Sequence, residues 1–76
     1  MRLDLFLKET RIIKRRTVAK EFCERGLVVV NEKIAKPSYE VKEGDNIHIK
    51  LGNKSLDIVA HIEKTTKKER ASYDNL

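Results

Sequence analysis

Three consecutive cations, Lys14, Arg15 and Arg16, stand directly before an amphipathic segment of the chain. The segment carries four apolar residues at helical spacing: Val18, Ala19, Phe22 and Cys23. This spacing predicts a helix from about Arg15 to Arg25 that ends at Gly26, with the three cations in its first turn. Because the free amides of a helix start carry partial positive charge, each cation there is unfavourable by a few tenths of a kcal/mol, up to about 1. A phosphate binds both the amides and the cations, so we expect phosphate contact at this helix start.

The positive charge of the chain is confined to its first quarter. Residues 1–20 hold seven basic and two acidic side chains, whereas residues 21–76 hold ten of each, so the net charge of +5 arises in the first segment. Such asymmetry indicates a nucleic-acid or membrane surface. Further cations of this segment are predicted to flank the phosphate site: Arg2, Lys8, Arg11 and Lys20.

Three polar residues later in the chain are weaker candidates for the same site. Asn31, Lys33 and Lys36 surround a predicted hairpin turn. They either extend the binding footprint or belong to an ordinary polar turn, and the sequence favours neither interpretation.

For the other residues that could take part in chemistry, the sequence predicts no catalytic role, no metal site and no cofactor. His48 and His61 fall on the polar sides of predicted strands, without a cysteine or acidic partner at ligand spacing. The sequence contains no recognisable catalytic triad, carboxylate pair or glycine-rich phosphate loop. Cys23 lies on the apolar stripe and is predicted to be a core residue, and a single cysteine suits a reducing compartment.

Length and hydropathy predict one small cytoplasmic domain. With 76 residues, the chain has no room for a deep enclosed active site. No segment approaches the roughly 18 apolar residues that span a bilayer. Asp4 and Lys8 also interrupt the first apolar segment before a signal-peptide core can form.

The cations must be positioned by two helices. The spacing of apolar residues within 2–9 predicts the first helix, in which Leu3, Phe6 and Leu7 form one apolar face. Asp4 in its first turn and Lys8 in its last turn complement the helix dipole. The second helix is the amphipathic segment that begins with the basic cluster.

A small sheet is predicted to follow the helices. Alternation or β-branched runs predict strands at 27–30, 33–35, 46–51 and 56–62. We expect an α/β domain of the α+β type over residues 1–62, with both helices on one face of an antiparallel sheet. Residues 63–76 contain few apolar side chains. This composition predicts a basic C-terminal tail that is mobile or forms a short helix on a partner.

Five segments within residues 1–50 form a specific combination: Arg2-Leu-Asp-x-Phe-Leu7, Lys14-Arg-Arg-Thr-x-Ala-Lys20, Gly26-x-Val-x-Val-Asn31, Ala35-Lys-Pro-Ser38 and Val41-Lys-x-Gly-Asp45. In this combination the chain resembles the S4 RNA-binding domain, named after a small-subunit ribosomal protein. Within that family it is most similar to the small stand-alone members of ribosome-associated quality control and to the related heat-shock proteins. The resemblance implies two helices on a small, strongly bent antiparallel sheet, with a two-helix face that binds structured RNA.

The resemblance also implies the partners. In that group the target is the large ribosomal subunit carrying peptidyl-tRNA after a stalled ribosome splits, and binding supports C-terminal tailing of the stalled chain by a tailing factor. We therefore expect contacts with large-subunit rRNA and with tRNA or peptidyl-tRNA, by a monomer that does not bind membranes. Two other functions fit the basic helices: an accessory RNA-binding subunit of an RNA-modifying enzyme, and a module that binds membrane surfaces or acidic proteins.

The chain departs from the family pattern at two positions. Leu5 stands where a basic residue is common, which weakens the first helix as a contact. Glu32 stands where the hairpin often has glycine after Asn31, which disfavours a two-residue type I′ turn.

Overall fold

A computed structural model describes residues 1–76 as two short helices followed by a five-stranded antiparallel sheet. The helices are α1 (Leu3–Glu9) and α2 (Arg16–Glu24), and the strands are β1 (Val28–Val30), β2 (Lys33–Ile34), β3 (Asn46–Leu51), β4 (Lys54–Lys64) and β5 (Glu69–Asn75). The strands lie in the order β2-β1-β3-β4-β5. This confirms the predicted α+β class and the antiparallel sheet. Neither helix has the length and apolar character needed to cross a membrane.

The core is formed by the apolar faces of the helices and one face of the sheet. Leu3, Phe6 and Leu7 of α1 are fully buried, as their helical spacing predicts. On the sheet the buried side chains alternate along the strands, and the largest are Val28, Ile47, Ile49 and Ile58. Cys23 of α2 is buried in this core. Burial, together with the nearby charge of Asp4, raises the pKa of the Cys23 thiol to about 11, which fits a core residue and not a reactive thiol.

Helix α2 ends at Gly26, as predicted. The glycine has a φ of 73°, and its N–H donates to the Cys23 carbonyl at 3.0 Å. The N–H of Leu27 donates to the Phe22 carbonyl, also at 3.0 Å. This pair of hydrogen bonds is the Schellman motif, which satisfies the last carbonyls of the helix and directs the chain into β1.

The connection between the helices folds back along α1. The Thr10 hydroxyl donates to the Phe6 carbonyl at 2.8 Å, and Arg11 has a φ of 62°, the left-handed conformation common after a helix. The N–H of Ile13 donates to the Leu7 carbonyl at 3.1 Å, and the Ile13 side chain is buried. As a result, the start of α2 returns to the start of α1.

The prediction of a mobile tail or short helix at the C-terminus is wrong for residues 69–75. These residues form β5, which pairs with β4 from Ile58↔Asn75 to Lys64↔Glu69. Ala71 and Tyr73 pack against the core, and they alternate with exposed polar residues. The sequence of this segment offers only two apolar side chains at alternating positions. That pattern is too short to predict a strand that forms mainly by backbone pairing with β4.

A histidine between two carboxylates connects β4 to β5. The Nδ1 atom of His61 lies 2.6 Å from Oε2 of Glu43, and its Nε2 atom lies 2.8 Å from Oδ2 of Asp74 on β5. Hydrogen bonds to Glu43 and then to Asp74 raise the pKa of His61 above its ordinary value. Both ring nitrogens of His61 are therefore occupied within the fold.

The hairpin between β1 and β2 closes through Asn31 and Glu32. Their φ values are 49° and 72°, and positive φ at both central residues is what a type I′ turn requires. The two-residue turn therefore forms although Glu32 replaces the glycine that favours it. Asparagine tolerates this conformation better than glutamate does, because its short side chain bonds locally.

Replacing Glu32 with glycine is expected to raise the free energy of unfolding by a few tenths to about 1 kcal/mol. The left-handed conformation costs an ordinary residue roughly 1–2 kcal/mol, and the greater freedom of glycine in the unfolded chain offsets about 0.5–1 of the gain. Urea denaturation measures the difference. Glu32→Ala is the control, because it removes the same carboxylate and keeps the Cβ atom; a glycine variant no more stable than this alanine variant would contradict a strained turn.

Candidate nucleic-acid interface

A buried carboxylate in the first turn of α1 holds together the arginines that begin the two helices. Asp4 is only 3% exposed. Its two oxygens accept hydrogen bonds from Nε and Nη2 of Arg2, both at 3.2 Å, and Oδ1 lies 3.5 Å from Nη2 of Arg16. Oδ1 also accepts the N–H of Leu5 at 2.7 Å. The residue before α1 and the first residue of α2 therefore lie side by side.

The resulting Asp4 cluster, formed by Arg2, Asp4 and Arg16, keeps a positive charge at the surface. The side chains of Arg2 and Arg16 are 49% and 47% exposed. Burial raises the pKa of Asp4, but the Arg2 hydrogen bond, the Leu5 N–H and the charges of Arg16 and Arg2 outweigh it, so the pKa lies below its ordinary value. One ionised carboxylate against two guanidinium groups leaves one net positive charge and several free N–H donors.

The predicted basic cluster does lie at the start of α2, but only one of its members is in the helix. Arg16 is the first helical residue, whereas Arg15 is the N-cap residue, with φ −115° and ψ 132°, and Lys14 precedes it. The prediction that all three occupy the first turn is therefore wrong, because the extended backbone of Arg15 delays the helix. Lys14 and Arg15 are exposed and form no ion pair.

No side chain caps the start of α2. Its first amides are therefore not satisfied by a serine, threonine or aspartate side chain, as they are in many helices. The exposed cations Lys14 and Arg15 lie at this same end. An incoming phosphate oxygen thus meets amide hydrogens and guanidinium or ammonium groups together, which is the arrangement that binds anions at helix starts.

A groove beside α2 brings two further predicted residues, Lys20 and Lys36, next to Arg2. This helix groove has a volume of about 560 Å³ and contains Arg2, Lys20, Cys23, Glu24, Lys36 and Pro37 in its lining. Lys20 and Lys36 are exposed and form no ion pair. Glu24 is the only acidic residue of the lining, so the groove carries a net positive charge.

An adjoining groove lies against the β1–β2 hairpin. This hairpin groove has a volume of about 620 Å³ and contains Asn31, Lys33, Ile34, Lys36, Ser38 and Tyr39 in its lining. Lys36 belongs to both grooves, so the basic surface continues from the Asp4 cluster to the hairpin. Of the weaker sequence candidates, Lys33 and Lys36 thus lie on the same surface as Arg2 and Lys20.

Asn31 has a structural role that the sequence did not indicate. Its Nδ2 group donates to Oδ1 of Asp45 at 3.1 Å, and its Oδ1 atom accepts the N–H of Asn46 at 3.0 Å. Asp45 also accepts the Tyr39 hydroxyl at 3.3 Å and the N–H of Lys42 at 2.9 Å. Asn31 therefore fixes the hairpin that carries Lys33, and much of its own hydrogen-bonding capacity is already used.

Two predicted residues lie at the other end of α1. Lys8 forms an exposed ion pair with Glu9 at 3.7 Å, and Arg11 follows the helix in the left-handed conformation. Neither lines the helix groove or the hairpin groove. The structure thus separates Lys8 and Arg11 from the Asp4 cluster by the length of α1.

Two features of this surface escape prediction from the sequence. From its position in the first turn of α1, Asp4 is predicted to complement the helix dipole. In the fold its carboxylate also bonds Arg2 and lies close to Arg16. The opposite charges of Arg2 and Asp4, two positions apart at the start of α1, are the one local signal of this contact. Ile34 is the second feature; it looks like an ordinary strand residue in the sequence, yet it is 71% exposed between the two grooves.

Known proteins resemble this chain in sequence and in fold. The RQC P-site tRNA stabilizing factor of Halalkalibacterium halodurans is 49% identical over 73 residues, which cover 95% of this chain and 83% of that protein. The protein of the same name from Bacillus subtilis is 47% identical over 73 residues, covering 95% and 85%. The solved trimeric structure of Heat Shock Protein 15 from Vibrio cholerae matches with a TM-score of 0.82 and 32% identity, covering all of this chain and 81% of that chain.

A protein-family model described as the S4 domain matches residues 1–47. The matched residues include the Asp4 cluster, the start of α2 and the hairpin groove up to Tyr39, and they make up more than half of the chain. Together with the relatives and the shared fold, this confirms the resemblance seen in the sequence. The chain therefore belongs to the S4 domain family.

Proposed function

We propose that this protein binds structured RNA of the large ribosomal subunit, together with P-site tRNA, during ribosome-associated quality control in the cytoplasm. The observation that carries the proposal is the Asp4 cluster, which presents two half-exposed arginines beside the uncapped, basic start of α2. Sequence relatives that cover most of this chain are named RQC P-site tRNA stabilizing factor, which supports tRNA as one partner. By binding there, the protein supports C-terminal tailing of the stalled chain.

The surface suits the backbone of folded RNA. The major groove of an RNA duplex is deep and narrow, so side chains reach phosphates and 2′-hydroxyls more easily than base edges. The arginines of the Asp4 cluster and Arg15 offer planar guanidinium groups, which bind phosphate oxygens in pairs. Recognition by this surface therefore depends on the shape of the RNA and on its phosphate spacing.

Co-sedimentation with purified large ribosomal subunits tests the proposal. At low salt, about 50 mM, we expect the protein to migrate with the subunits, and to be retained better when peptidyl-tRNA occupies the P site. If about five phosphates are contacted, the logarithm of the binding constant should fall against the logarithm of salt concentration with a slope of about −3 to −5. Anionic vesicles serve as the control.

Two results would contradict the proposal. A protein that stays at the top of the gradient at low salt does not bind the subunit. Tight binding to anionic vesicles, with none to subunits or to RNA, would instead indicate a membrane-surface module. Footprinting of the subunit with and without peptidyl-tRNA then separates rRNA contacts from tRNA contacts.

A further inference from the structure

Ile34 is an exposed apolar residue in the middle of a basic surface. It is 71% exposed, and only one other large apolar side chain of the protein, Leu76, is as exposed. Ile34 lines both the helix groove and the hairpin groove, so it forms the ridge between them. A single exposed isoleucine needs no explanation by itself, but its position between unpaired lysines does.

The surroundings of Ile34 identify the charge of its partner. Lys33 and Lys36 flank it in the sequence, form no ion pair, and line the hairpin groove, which has no acidic residue in its lining. The Ser38 hydroxyl lines both grooves and is also free of hydrogen bonds within the protein. An occupant of the hairpin groove therefore needs negative charge, an apolar face and polar edge groups.

One side of the Ile34 side chain lies against Gly26, which has no side chain of its own. A Cβ atom placed on Gly26 would lie 3.6 Å from Cδ1 and 3.8 Å from Cγ2 of Ile34. The isoleucine thus rests against the glycine that ends α2, where no side chain intervenes. Its opposite face remains open to the hairpin groove, whose volume of about 620 Å³ is within the usual range for a small-molecule pocket.

We propose that the hairpin groove holds one unpaired nucleotide of the bound RNA. The base lies against Ile34, the adjacent phosphates contact Lys33 and Lys36, and the Ser38 hydroxyl bonds the base edge or the 2′-hydroxyl. A nucleotide meets all three requirements, since it joins an apolar base face to an anionic phosphate. This inference rests on the proposed RNA-binding function, and adds that a looped-out base next to a helical stem is preferred to a fully paired stem.

Fluorescence anisotropy with two labelled RNA stems tests the inference. One stem is fully paired, and the other is identical except for one unpaired adenosine. We expect the wild-type protein to bind the second stem about tenfold more tightly, which is the effect of removing roughly 60 Å² of apolar surface on Ile34 and the base from water. Ile34→Ser should reduce the ratio of the two affinities from about ten to about one. Leu76→Ser is the matched control, because it alters the other exposed apolar side chain and should keep the preference.

The outcomes separate this inference from the proposed function. If Ile34→Ser keeps the wild-type preference, or if the wild-type protein binds the two stems equally, the nucleotide pocket is wrong and RNA binding stands. A preference that is unchanged in Ile34→Ser would place the recognition of the unpaired base outside the hairpin groove. If neither stem is bound at low salt, the proposed function itself fails, and this inference fails with it. The fold should survive the substitution because Ile34 is largely exposed.

Discussion

Replacing both Arg15 and Arg16 with alanine is expected to abolish binding to structured RNA and to leave the fold intact. Each guanidinium group that bonds a phosphate contributes roughly 1.5–3 kcal/mol, so losing two should weaken binding about a hundredfold or more. The fold should tolerate the change because neither side chain belongs to the core. Asp4 also keeps its two hydrogen bonds from Arg2 and the one from Leu5.

The measurement for this double variant is anisotropy with a paired RNA stem, together with thermal unfolding followed by circular dichroism. The slope of binding against salt should become shallower by about two, one for each lost phosphate contact. Lys50→Ala with Lys54→Ala is the control, since it removes two exposed lysines without ion pairs at the β3–β4 hairpin. Equal loss of affinity in both double variants would show that only net charge matters, and would refute a site at the start of α2.

The features that could be predicted from the sequence are those encoded within a few neighbouring residues. The apolar stripe of α2 and its stop at Gly26 lie within one short segment, so periodicity and turn chemistry suffice to place them. Strand β5 differs, because its residues Ala71 and Tyr73 become a strand only by pairing with β4. Pairing between two strands is not evident from the sequence of either strand alone.

The electrostatic argument from the sequence also changes once the fold is known. Cations at the start of α2 predict an external anion, but the protein already supplies Asp4 to Arg16. Lys14 and Arg15 have no such partner, so they add to the positive charge that the Asp4 cluster leaves free for a phosphate. The burial of Asp4 cannot be read from its position in α1, because Arg16 and Pro37, which contact it, are distant from it in the sequence.

Replacing Asp4 with asparagine should both destabilise the fold and weaken RNA binding. Asparagine keeps the shape of the side chain but loses the charge that holds Arg2 and Arg16, a loss of about 1.5–3 kcal/mol for hydrogen bonds to a charged group. The stability difference should narrow in acid. Because the pKa of Asp4 is lowered in the fold, its contribution is present above the ordinary pKa of the carboxyl group and is lost as the pH falls through the folded value.

For RNA binding, the Asp4→Asn substitution has two opposing effects. It adds one positive charge to the surface, which favours RNA by no more than about 1 kcal/mol at an exposed site. It also frees two arginines that must then be ordered on binding, at about 0.5–1.5 kcal/mol each. The second effect is larger, so we expect affinity to fall about tenfold. Glu9→Gln makes the same charge change at the other end of α1 and should not weaken binding; an Asp4→Asn variant that binds as tightly as Glu9→Gln would show that Asp4 does not orient the arginines for RNA.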